Sequence, residues 1–334
     1  MEKIAGIDLS YSKIRAWRFC RQFFKYGSID RIEPRKKPKQ LEMGSAIHEC
    51  IEAYRKGLDW RKQLNQFKLE FNKLLPDEKE HFGDLPKDVE RIVTGYMSHY
   101  KEEDKGLKWH LVEDSIGPIE IVPGVNFSLK PDALVEDTMG RMFLVEIKTG
   151  RNLPGEDFRV WNLQTILYIW GLREMGYKVN GVLWDHVRTK APTVPRLLKN
   201  GTLSKREIDT DYGTYYEAIV ANGLNPDDYQ DVLSKLKYNK SFYARYRLPV
   251  KEPMIEQVLR DARISAKEIK KWEGLVYRDI STMKCPKCMY RSLCEAALMG
   301  GDEAMIKKRE FVAKQKPKSI EREADGDEEG APDQ

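Results

Sequence analysis

Apolar positions follow a helical period through the first third of the chain, switch to a strand-like period near residue 109, and later return to helical spacing. The clearest helical stripe lies in 40–56, where Met43, Ala46, Ile47, Cys50, Ile51 and Tyr54 fall on one face. Further helices are predicted at 10–26, with Ser10 or Ser12 as N-cap, and at 60–75 and 87–104, with Pro76 and Gly83-Asp84 as punctuation. A β-meander is predicted from 110–114, 118–122, 126–136 and 141–148, with Asp137 to Gly140 as the last hairpin turn. A helix at 157–175, ending near Gly176, and an apolar strand at 179–188 follow. Residues 190–280 are mixed: a loop with Pro192 and Pro195, a helix near 212–221, a strand near 242–248 and a charged helix over about 253–272. The tail after about 312 is basic, then acidic, and nearly devoid of apolar residues, which predicts disorder. The order predicts an α/β core with helical additions at both ends, and no internal repeat is seen.

Composition narrows the picture. The 334 residues are 41% hydrophobic and 33% charged, enough for one large core or two modest ones. No apolar run approaches the ~20 residues of a membrane helix, so no membrane association is expected. The N-terminus has neither an apolar h-region nor a small-residue cleavage site, so a cytoplasmic location, in a bacterial or phage-infected cell, is expected. Five cysteines there are poor candidates for disulfides and better ones for burial or metal binding. The net charge of +5 says little until localised. Nine Lys and Arg residues fall between Arg15 and Lys39 against only Asp30 and Glu33. Such a stretch is either a solvated face or a phosphate-binding patch, with Arg18 as a candidate DNA contact.

Chemistry concentrates in LKPDALVEDTMGRMFLVEIKTG, residues 129–150. Glu146 and Lys148 are two apart, so on a strand they share a face. Folding the hairpin about 138–139 brings Asp132 opposite about position 145, beside Glu146. Two carboxylates with substrate phosphate are a usual way to hold Mg²⁺. The ion would polarise a phosphate and activate water, and the lysine would orient that water or offset developing charge. Taken alone, Glu-x-Lys is also compatible with polar alternation and a surface ion pair.

Other candidates lie on helices and near the C-terminus. His48 sits just off the apolar stripe of its helix and is either a boundary histidine or a metal ligand. Gln164 and Tyr168 are i and i+4 on one helix face. Arg188 and Lys190, after the 179–188 strand, are candidate phosphate contacts. Cys285, Cys288 and Cys294 form C-x₂-C-x₅-C, and Cys20 is the candidate fourth thiolate, while Cys50 reads as core. Zinc and an iron–sulfur cluster both take four thiolates, and spacing does not separate them.

Read together, Pro131-Asp132, Glu146-Ile147-Lys148, the Gly44-x-x-x-His48 helix and the Gln164-x-x-x-Tyr168 helix resemble the RecB-like branch of the PD-(D/E)XK nucleases. The N-terminal cysteine with the distant C-x₂-C-x₅-C resembles the iron-staple members, which include the AddB nuclease domain and the CRISPR-associated RecB-like exonucleases. The resemblance spans about 8–298. It implies a mixed central sheet flanked by helices and stapled by a [4Fe–4S] cluster on Cys20, Cys285, Cys288 and Cys294, with Zn²⁺ as the alternative. It implies a Mg²⁺- or Mn²⁺-dependent deoxyribonuclease, an exonuclease on DNA ends or single strands serving recombination, repair or phage and CRISPR processing. Asp132, Glu146 and His48 would hold the metal, Lys148 would complete the catalytic set, and Gln164 and Tyr168 would support the DNA. On this reading residues 1–311 are one nuclease domain, with core motifs in 40–190, an insertion at about 190–280 and a disordered tail at 312–334. No helicase motif is present, so a stand-alone nuclease, a homo-oligomer or a borrowed helicase partner is expected. The rivals are a non-catalytic DNA-binding assembly subunit with the same fold and a zinc-stapled structural protein.

Overall fold

The structure, a computed structural model, describes residues 7–36, 38–152 and 162–314. The predicted helix start at 157–161, Lys37 of the basic stretch and the predicted tail beyond 314 lie outside the described residues, while Val312 and Ala313, expected to be disordered, are in a strand paired with Glu33 and Ile32. The strands in chain order are β1 (Ile7–Leu9), β2 (Ile32–Pro34), β3 (Lys108–Val112), β4 (Ile116–Val122) and β5 (Val125–Leu129). They continue with β6 (Ala133–Glu136), β7 (Met142–Gly150), β8 (Val179–Arg188), β9 (Tyr243–Pro249) and β10 (Phe311–Ala313). The main sheet runs β3-β6-β7-β8-β9, a second runs β1-β5-β4, and β2 pairs with β10. Sheets with helices packed on them give the mixed α/β fold that the sequence pattern predicts.

The predicted β-meander is corrected by the topology. The run 126–136 is two strands in different sheets, separated at Lys130, Pro131 and Asp132. Pro131 lacks the amide that a continuing ladder needs, so the chain leaves one sheet and enters the other there. As a result β3 pairs with β6 across the intervening β4–β5 hairpin, with Val112 opposite Ala133. β6 and β7 then form the expected hairpin, with Ala133 opposite Val145.

β7 and β8 run parallel and are joined through the Leu163–Glu174 helix. That helix is almost wholly buried from Thr165 to Leu172, so it shows no polar stripe. Asn162 caps it, accepting from the Gln164 and Thr165 amides. Leu144, Val182, Trp184, Ile166 and Ile169 share the core beneath it with the Glu252–Lys270 helix.

On the other side, the Lys39–Arg55 and Leu85–Asp104 helices close a second core that includes Ile147 and Val187. Pro76 begins the short Pro76–Phe82 helix at N1 instead of only breaking the chain, because its missing amide has no partner there anyway. The predicted 10–26 helix is interrupted: Tyr11–Phe19 is helical, Cys20 is extended (φ −170°), and Arg21 resumes the helix. Ser10 is the N-cap, accepting from the Lys13 amide at 3.4 Å. Chain ends are joined by the β2–β10 ladder, by Tyr290 donating to the Ile32 carbonyl (2.8 Å) and by Tyr26 donating to Glu303 (2.8 Å). Among the described residues, no helix is long and apolar enough to cross a membrane.

Candidate active site

The edge where β6 and β7 begin and end, respectively, collects the predicted side chains. Asp132 stands one residue before β6, and its Oδ2 accepts from the Ile147 amide at 2.6 Å. That bond fixes the carboxylate beside Glu146 and Lys148. Lys148 Nζ donates to Glu146 Oε1, as side chains two apart on one strand face should. Glu146 is 1% exposed, and its Oε2 is buried without a hydrogen-bond partner. Burial, and then the nearby Asp132 charge, push its carboxyl up to about 8, against the opposing pull of Lys148.

His48 reaches this edge because its helix lies against β7. A methyl on Gly44 would sit 2.8 Å from Thr149 Oγ1, so a larger residue there would have to push the helix or the Thr149 side chain aside. The His48 ring is half-buried. Desolvation holds its pKa below the ordinary value, although Asp132 pulls the other way. A neutral ring keeps a lone pair available for a cation.

Glu113 was not among the residues expected here. One ligand atom each from His48, Glu113 and Asp132 lies within 4.8 Å of the others. Glu113 follows β3, and its amide donates to the Asp132 carbonyl at 3.3 Å. Burial and then Asp132 push its carboxyl up to about 7, while Lys130, paired with it at 2.7 Å, pulls down. The signal that could have found it is the register: once β3 is paired with β6, the residue after Val112 comes opposite the one before Ala133.

These groups fit a divalent cation on a structural ground. A buried carboxylate oxygen with no donor is costly to leave unsatisfied, and three carboxylates with one neutral imidazole repel each other less around a positive charge. Of the three expected ligands, Asp132 and His48 belong to the 4.8 Å group, whereas Glu146 lies outside it and approaches it through Asp132.

The other expected residues are placed as follows. Tyr168 is buried, touches the Lys130 backbone and bonds with Gln164; burial first, then Glu146 and Asp132, raise its phenol above the ordinary value. Gln164 and Tyr168 thus meet the acidic cluster from the helix side. Arg188 and Lys190 both pair with Asp209 at 2.6 Å, beyond the β7 end where the Thr189 amide donates to the Gly150 carbonyl. Arg18 is set apart from this group: its Nε donates to Ser265 on the Glu252–Lys270 helix at 2.8 Å. Cys20, Cys285, Cys288 and Cys294 line one cavity of about 320 Å³. The Asp279 amide donates to Cys20 Sγ and the Ser281 amide to Cys285 Sγ, both at 3.4 Å. Burial raises the Cys288 and Cys294 thiols, and Arg278 opposes the shift at Cys294. Cys50 is 1% exposed in the helical core, as its place in the apolar stripe predicts.

Sequence reasoning also missed a buried network behind the site. Asp185 on β8 is fully buried; its Oδ2 accepts from Arg55 (2.6 Å), Tyr96 (2.5 Å) and Arg245 Nε (3.0 Å). Arg55 ends the His48 helix, so this network anchors that helix to the sheet.

No curated protein sequence matches this chain. Among solved structures, a candidate exonuclease from Eubacterium rectale is similar at 13% identity and a TM-score of 0.43, over 81% of this chain and 84% of that one. A likeness that loose carries no weight. The family comparison is of another order: the model of the PD-(D/E)XK nuclease superfamily matches residues 8–295, which takes in every motif from Cys20 to Cys294. The chain belongs to the PD-(D/E)XK nuclease superfamily.

Proposed function

We propose that this chain is a Mg²⁺- or Mn²⁺-dependent deoxyribonuclease of the RecB-like iron–sulfur type, an exonuclease on DNA ends or single strands. The observation that carries the reading is the partnerless, buried Oε2 of Glu146 beside Asp132, whose own carboxylate shares a 4.8 Å group with His48. Asp132, Glu146 and His48 are the metal-holding residues. A divalent ion, when bound, supplies Lewis-acid polarisation of a phosphate oxygen. The remaining work falls to the protein. Lys148, held against Glu146, orients the attacking water and offsets charge on the phosphoryl group. Tyr168 and Gln164 brace the acidic cluster from behind, and Arg188 and Lys190 offer cations to the DNA backbone past the end of β7. Arg18 belongs to the basic N-terminal stretch and would contact DNA away from the reacting bond.

The four cysteines are assigned to a [4Fe–4S] cluster of structural role. Support comes from their convergence on one cavity and from the order of motifs along the chain. Structural metal sites can contribute on the order of 10 kcal/mol, enough to hold the Cys285–Cys294 segment against the N-terminal helices. Residues 1–311 act as one nuclease domain; within the 190–280 stretch β9 and the Glu252–Lys270 helix belong to the main sheet and core, and only the segment between β8 and β9 is an insertion beside the DNA path. A cytoplasmic setting in recombination, repair or phage and CRISPR DNA processing suits such an enzyme, alone, as a homo-oligomer or with a helicase partner.

The test is degradation of labelled single- and double-stranded DNA by anaerobically purified protein, with and without Mn²⁺ or Mg²⁺. Metal-dependent cutting is expected, from protein that is brown because iron–sulfur clusters absorb visible light and d¹⁰ zinc does not. Colourless protein with four thiolates on zinc would replace the cluster assignment. Folded protein that binds DNA and leaves it intact would replace the enzyme with a non-catalytic assembly subunit.

A further inference from the structure

Glu113 carries a left-handed backbone (φ 56°), a conformation that side chains other than Gly, Asn and Asp rarely adopt. Nothing in the sequence around it relaxes that cost, and the neighbours hold the residue there. The Glu113 amide donates to the Asp132 carbonyl at 3.3 Å, and the Val112 amide donates to Asp114 Oδ2 at 2.9 Å. The turn is tied on both sides of the strained residue. Its product is a carboxylate aimed at His48 and Asp132, with ligand atoms from all three within 4.8 Å. Strain kept by such over-determination is a mark of function.

A second observation concerns charge. Glu113, Asp132 and Glu146 crowd three carboxylates together, and Glu146 keeps one buried oxygen without a partner. Two ammonium groups offset them: Lys148 on Glu146, and Lys130 on Glu113 at 2.7 Å. Lys130 lies two residues before Asp132, and its side chain is 39% exposed, so it can leave. A divalent ion among His48, Glu113 and Asp132 would make its ammonium redundant and repel it.

We propose that Glu113 is a further ligand of the divalent metal, and that Lys130 is a place-holding cation that neutralises Glu113 until the metal arrives and then withdraws towards solvent. The inference rests on the reading of Asp132, Glu146 and His48 as a metal site and adds a residue outside the Asp, Glu-x-Lys and His motifs. Lys130 is left at the site's rim, where a DNA phosphate can take it up.

The experiment is Mn²⁺ binding to the full chain, read from the magnetic resonance signal of free Mn²⁺, with no DNA and no turnover. Wild type, Glu113→Gln, Glu113→Gly, Lys130→Met and Asp132→Asn are compared at one pH. Glu113→Gln is expected to weaken Mn²⁺ by about tenfold or more, as loss of a charged ligand does. Glu113→Gly, which suits the left-handed backbone, should fold at least as well as wild type and lose the same affinity. Lys130→Met should tighten Mn²⁺. Unchanged affinity in both Glu113 variants, with Asp132→Asn abolishing binding, overturns the ligand assignment while the metal site itself stands. Weaker binding in Lys130→Met overturns the place-holder role. A wild type that binds no Mn²⁺ sinks the metal reading and this inference with it.

Discussion

Gly44 and Thr149 touch so closely that a Cβ on the first would lie 2.8 Å from the hydroxyl oxygen of the second. One is a helical turn from His48, the other follows Lys148. This contact sets the distance between the imidazole and the Glu-x-Lys strand, and it gives a physical reason for glycine four residues before the histidine.

Gly44→Ala therefore separates stability from activity. Alanine gains about 1 kcal/mol of helix propensity over glycine, which offsets much of the clash. Stability should stay within about 1 kcal/mol of wild type. Cleavage should fall by about tenfold or more, because a small displacement of His48 spoils the site geometry. Adding Thr149→Ala should restore much of the loss. Full activity in Gly44→Ala alone would show that the contact does not set the site.

Asp185 is fully buried beneath two guanidinium groups, Arg55 and Arg245. Removing one partner of a buried ion pair leaves the others uncompensated and costs about 3–5 kcal/mol. Asp185→Ala should lose stability of that order in urea unfolding. Because Arg55 terminates the His48 helix, Mn²⁺ affinity should weaken as well. A loss under about 1 kcal/mol would mean that water relieves the network.

The raised carboxyls give a pH signature to the metal-free protein. Glu146 and Glu113 titrate at about 8 and about 7 in the fold, above the ordinary 4.5. Between 4.5 and those values the folded chain binds more protons than the unfolded chain, so their contribution to stability declines as pH rises. Without metal, the melting temperature should fall from pH 5 to pH 8. Saturating Mn²⁺, which binds the ionised carboxylates, should reverse the slope. Parallel curves with and without metal would place the ion elsewhere.

Cys288→Ser removes one of four thiolates. Colour should be lost, and the 275–298 segment should become the first point of proteolysis. The β2–β10 ladder and the Tyr26–Glu303 and Tyr290–Ile32 bonds still join the ends, so the rest should remain folded with a lowered melting temperature. A Cys288→Ser protein with the same iron content and absorption spectrum as wild type would remove Cys288 from the ligand set.

Much of this was legible from residue patterns. The apolar run 179–188 is strand β8, and 212–221 is a helix, because in both the period and the flanking turn residues agree. Asp132, Glu146 and Lys148 meet because a hairpin and a strand face are local geometries, whereas the approach of His48 to Asp132 depends on how its helix packs. What escaped depends on distant partners. The split of 126–136 was signalled by Pro131, but the sheet that receives each half was not. The role of Glu113 depends on a left-handed turn that Glu-Asp-Ser does not advertise. Arg55, Asp185 and Arg245 meet only once helix and sheet are packed, and no local period relates them.

The most direct test of the central claim sets wild type beside Glu146→Gln on end-labelled linear DNA, with and without Mn²⁺. Glutamine keeps the shape of the buried side chain and removes the carboxylate charge. The account predicts that wild type cuts only with metal and that Glu146→Gln, equally folded and equally able to bind DNA, does not. Equal cutting by the two proteins, or intact DNA with a folded, metal-loaded wild type, would contradict it.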